Sequence, residues 1–83
     1  MSKANKLLNK IKNEAKIFDE VGKFYVVTKP TKISLLTDIL FQTDIIGMFN
    51  QVRGGLKESE IHGFYKKEKI AKAAALALLN QLS

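Results

Sequence analysis

Phe24-Tyr25-Val26-Val27-Thr28 is the one clear strand signal in this chain, rich in aromatic and β-branched residues. Lys23 and Lys29 flank it, and Pro30 closes it. A strand cannot stand alone, because its backbone N–H and C=O groups need partners. The fold class turns on where those partners lie. Ile61-His62-Gly63-Phe64-Tyr65 of the same chain is one option, and the same strand of a second copy across a two-fold axis is another. The third is an extended connector packed on helices.

Downstream of Pro30 the pattern turns helical. Thr31 or Ser34 starts a second helix through Phe41 or Gln42, with Leu36, Ile39 and Leu40 on its buried face. The short run of Ile33, Leu35 and Leu36 makes a strand the competing reading. Gln42-Thr43-Asp44 reads as a break, with Asp44 the next N-cap. Ile45, Met48, Phe49 and Val52 share one helical face, and Gly54-Gly55 ends that helix. Residues 56–65 fit a short helix or irregular turn, since Ile61, Phe64 and Tyr65 suit one helical face. The alternation Ile61-His62-Gly63-Phe64 keeps a strand as the alternative.

Upstream of the strand, Ser2 caps a helix over residues 3–20, with Gly22 as its stop. Ala4, Leu8, Ile11, Ala15 and Phe18 form a heptad-like seam that Leu7 widens. Lys3, Lys6, Lys10, Lys12 and Lys16 fill the polar side.

The last helix, residues 66–82, is apolar almost all the way round. Ala71, Ala75, Leu78 and Leu82 make one stripe. Ile70, Ala73, Ala74 and Ala77 make a second, small-residue stripe about a quarter turn away. A chain this short hardly surrounds a terminal helix of its own. The second stripe therefore points to self-association, small side chains letting two backbones approach closely.

Eighty-three residues make one domain, residues 1–83, with a small core. The cysteine count is zero, which removes disulfides and thiolate metal sites and fits a cytoplasmic protein. The stretch 33–52 is too interrupted by polar residues for a membrane span. The net charge of +6 is uneven, with +5 in residues 1–33. That excess favours an anionic partner through Lys3, Lys6, Lys10, Lys12 and Lys16, nucleic acid being one.

Chemistry is hard to assemble from these residue types. His62 is the single histidine, and nothing in the spacing arranges a nucleophile or an acid beside it. Glu58, Glu60 and His62 would share a face if that stretch were a strand, a weak metal hint that reads better as a solvated acidic patch. Gly54-Gly55 lacks the further glycines and the Lys-Ser/Thr of a phosphate loop. Two helix-turn-helix pairings were weighed, 57–65 with 66–82 and 33–41 with 44–53. Neither starts its second helix with residues suited to base edges.

The sequence thus predicts a mainly α fold: a single small domain of four or five helices with at most one short two-stranded β element. It points to a non-enzymatic binding or regulatory protein, acting through protein–protein contacts as a homodimer. No cofactor, metal or catalytic residue is expected. A nucleic-acid-associated protein using the basic N-terminal helix is the alternative.

Overall fold

The computed structural model describes residues 3–14 and 17–82, residues 3 and 4 as backbone only. Helix α1 (Lys3–Asn13) leads to strand β1 (Phe24–Thr28), a single helical turn α2 (Leu36–Ile39) and strand β2 (Leu40–Thr43). Helix α3 (Ile45–Arg53), a 3-10 turn at Glu58–Glu60, strand β3 (Ile61–Tyr65) and helix α4 (Glu68–Leu82) complete the order. The three strands form one antiparallel sheet in the order β2-β1-β3. The expected mainly α fold with at most a two-stranded element is therefore wrong. The sheet is the middle layer, with helices on both of its faces.

Strand β1 sits at the centre because both of its faces are apolar. Phe24 and Val26 enter one core, with Leu7, Leu8 and Ile11 of α1, Ile17, and Met48 of α3. Val27 enters a second core, with Ile39, Ala71 and Ala75, and Tyr25 packs against it. Period-2 alternation turns successive side chains to opposite faces. The methyl side chains of Ala71 and Ala75, both fully buried, let α4 lie close against β1.

The expected helix over 31–42 shrinks to one turn. Thr31 and Ser34 do not cap it. The Ser34 hydroxyl accepts the Thr31 N–H at 2.8 Å, and the Ser34 N–H donates to the Thr31 carbonyl at 3.0 Å, closing a local turn instead. Leu35 is the N-cap residue, and the Asp38 carboxylate accepts its N–H at 2.9 Å. Leu40–Thr43 then pairs with β1, Phe24 facing Thr43 and Val27 facing Leu40. Backbone demand on the open side of β1 overrides the helical spacing of Leu36, Ile39 and Leu40. Gln42 is part of this strand, not of a break, and its amide donates to the Tyr25 hydroxyl at 3.2 Å across the pair.

Residues 61–65 form a strand and not the short helix or turn favoured from sequence. Tyr25 faces Tyr65, Val26 faces Phe64 and Val27 faces Gly63, but Thr28 faces Ile61. His62 is the extra residue of a β-bulge. The bulge brings Ile61 and Phe64, three apart, to the same core.

The first helix ends at Asn13 and does not reach residue 20. Backbone bonds from Glu14 N–H to Ile11 and from Ile17 N–H to Glu14, each 3.1 Å, tighten the exit into i→i+3 turns. The Asp19 carboxylate then accepts the N–H groups of Val21 at 3.0 Å and Lys23 at 2.9 Å, shaping the turn into β1. Gly22 belongs to that turn, at φ +75°. Ile17 fills the core more deeply than Phe18. The Ser2 cap, Ala15 and the side chain of Ala4 in the expected seam lie outside the described residues.

Helix α3 follows the sequence closely. Asp44 is its N-cap, accepting the Gly47 N–H at 2.7 Å. At its end Gly54 is the C-cap and Gly55 takes φ +117°. The Gly55 N–H donates to Val52 at 3.2 Å and the Leu56 N–H to Gln51 at 3.0 Å, a Schellman closure. Leu56 folds back onto the core, as that motif requires.

Candidate functional site

Four surface features remain once the two cores are assigned. The first is the outward face of α4. Ala71 and Ala75 point into the sheet. On the opposite side Ile70 is 55% and Leu76 42% exposed, with Ala73 and Ala77 exposed between them. Three of the four self-association residues read from sequence, Ile70, Ala73 and Ala77, thus face outward. Ala74 is half-buried at the boundary.

The second is the lysine side of α1, which covers the other face of the sheet. Lys6, Lys10 and Lys12 are exposed. Lys10 lies 3.7 Å from the Glu58 carboxylate, so one of the expected anion-binding lysines is partly neutralised. The side chains of Lys3 and Lys16 lie outside the described residues.

The third is a cleft of about 330 Å³ between α1 and β3. Lys10, Ile11 and Glu14 form one wall, and Ile61 to Phe64 with Glu58 form the other. His62 sits here, exposed, and among the described residues no hydrogen bond orients its ring. A general base needs such an orienting partner. Glu58 and Glu60 belong to the 3-10 turn while His62 belongs to β3, so the alternation that would have brought all three to one face does not form. Among the described residues no three metal-capable side chains converge. This cleft was not foreseen, because it exists only once residues 61–65 are a strand.

The fourth is an apolar slot of about 250 Å³ between the β1–α2 loop and the end of α4, lined in part by Leu35, Leu36, Leu79 and Leu82. Beside it Ile33 is 90% exposed, and Leu35 on its wall is 67% exposed.

Both helix-turn-helix pairings fail on geometry. Residues 61–65 are a strand, and β2 separates α2 from α3. Among the described residues no helix is long and apolar enough to cross a membrane. Compared with known proteins, the chain matches no family model, no curated protein and no solved structure. Function is therefore argued from the surfaces alone.

Proposed function

We propose that the chain is a small, non-catalytic binding or regulatory protein of the cytoplasm that acts through protein–protein contacts as a homodimer. The observation that carries this reading is the outward face of α4. A helix whose inner face is already packed on a sheet still turns Ile70, Ala73, Leu76 and Ala77 to solvent. Apolar surface of this kind, continuous along one helix, is what soluble proteins cover with a partner.

The face is also self-complementary. In an antiparallel pairing of two α4 helices, the bulky Ile70 of one meets the small Ala77 of the other, and the reverse. Close approach of the backbones then gains dispersion contacts along both helices. The absence of cysteine fits a reducing compartment.

Sedimentation of the wild type and of Ala73→Glu tests the reading. Ala73 is exposed in the single chain, so the substitution leaves the monomer folded, with a change of about 0.5 kcal/mol or less. A dimeric wild type and a folded, monomeric variant are expected. A wild type that stays monomeric into the high micromolar range refutes the homodimer. The nucleic-acid reading rests on exposed Lys6, Lys10 and Lys12. A monomer that retains duplex DNA at low salt and loses it steeply as salt rises would move the assignment there.

A further inference from the structure

The sheet order β2-β1-β3 leaves two edges, and they are not equivalent. Strand β2 is short and enclosed: α2 runs directly into it, and α3 begins one residue after it. A strand laid along that edge would meet a helix at either end. Strand β3 is preceded by a 3-10 turn and bordered by the cleft against α1.

Backbone alternation fixes which groups β3 presents. The Lys29 N–H donates to the Glu60 carbonyl at 2.8 Å, so the odd-numbered residues of β1 bond towards β3. Gly63 and Tyr65, facing Val27 and Tyr25, are bonded inward. Phe64 faces Val26 and therefore turns its N–H and C=O to the open edge. Natural edges are blunted by proline, by lysine or by a covering element. No proline or lysine lies within 61–65, and the bulge at His62 leaves residues 63–65 regular.

The cleft adds what a bare edge lacks. Ile11, Ile61 and Phe64 give it an apolar floor, and Lys10 stands at its rim. Lys6 lies one helical turn before Lys10 on the same side of α1 and adds to the positive potential there. The Lys10–Glu58 pair is more than 60% exposed on both sides and spans 3.7 Å, so it opens at little cost.

We propose that β3 captures an extended peptide segment of another protein as a fourth strand, with an apolar side chain seated in the cleft and an acidic residue meeting Lys10. Phe64 supplies the central pair of main-chain hydrogen bonds. The cleft, with room for one side chain beside Ile11 and Phe64, selects the residue. Lys10 exchanges Glu58 for the incoming carboxylate. Main-chain bonds to an edge give affinity, and pockets for alternate side chains give specificity. The site lies across the sheet from α4, so it does not depend on the homodimer.

The probe is a phage-displayed library of random dodecapeptides, selected against the wild type and counter-selected against Lys10→Trp, which fills the cleft from an exposed helix position. Enriched peptides are expected to carry an apolar residue next to an acidic one. On isotope-labelled wild type they should shift the amides of Lys10, Ile11 and 61–65, and slow exchange of the Phe64 N–H by at least about tenfold. Binding to Lys10→Glu should weaken by about tenfold, the loss of one charge-assisted contact. Enrichment equal on both baits overturns the proposal, as does no enrichment or a set of shifts centred on α4 or the β1–α2 loop. So does a Phe64 amide that moves with protein concentration alone, which would mean that a second copy occupies the edge.

Discussion

Replacing Phe24 with leucine is expected to destabilise the fold by about 1.5–3.5 kcal/mol, the sum of two effects that the structure separates. Phe24 is fully buried in the core under α1 and α3. Its ring meets Phe18 at 5.4 Å and 84°, and Phe64 at 5.8 Å and 68°, both edge-to-face. Each such contact contributes about 0.5–1.5 kcal/mol beyond area burial. Leucine keeps the site apolar but is smaller, and the residual cavity adds about 0.5 kcal/mol. A domain of this length has about 4–12 kcal/mol in total, so the variant should still fold. Urea unfolding followed by circular dichroism, at one fixed protein concentration because an oligomer's midpoint depends on it, reads the effect. The midpoint should fall by more than about 1 M at unchanged slope. A double-mutant cycle with Phe18→Leu should return a coupling of about 0.5–1.5 kcal/mol. A loss below about 0.5 kcal/mol with no coupling would refute the aromatic account of this core.

Two further outcomes test how α3 is bounded. Asp44→Ala removes the carboxylate that accepts the Gly47 N–H at 2.7 Å, and should cost about 1 kcal/mol in the same urea assay; an unchanged midpoint would show that the cap contributes nothing. Gly55→Ala forces a Cβ onto a residue at φ +117°, and should cost about 1–3 kcal/mol although nothing lies within 4 Å of the added methyl, so a neutral result would mean that the turn relaxes freely.

The parts of the fold legible in the sequence are those whose cause is local. The β1 run is contiguous and β-branched, and it forms a strand with the expected bounds. Asp44 and Gly54-Gly55 bound α3 through contacts within a few residues. Ala71 and Ala75 were read as the inner stripe of the last helix, and they are buried there. What failed depends on partners distant in sequence. Leu40–Thr43 is four residues long and becomes a strand because β1 needs a second neighbour, not because of its own propensity. Residues 61–65 deceived for a geometric reason. The bulge at His62 puts Ile61 and Phe64 on one face at a spacing of three, which is also the signature of a helix. In the N-terminal seam, Leu8 and Ile11 are buried, but the chain turns after Asn13, so the spacing to Phe18 carries no helical meaning. The stripe of Ile70, Ala73 and Ala77 could be located from the helical wheel alone. The cleft beside β3 could not, since no pattern within a single segment encodes it.

Val26 and Val27 are neighbours in the chain but belong to different cores, and this divides the ways in which the sequence can drift. A change of volume at Val26 is felt by Leu8, Ile11 and Met48, and is offset by changes among them. A change at Val27 is felt by Ile39, Ala71 and Ala75. The two sets meet only through the backbone of β1, so compensating substitutions should accumulate as two separate families, one for each face of the sheet. An insertion or deletion within 24–28 breaks that separation, because it exchanges the two faces and asks both families to change at once.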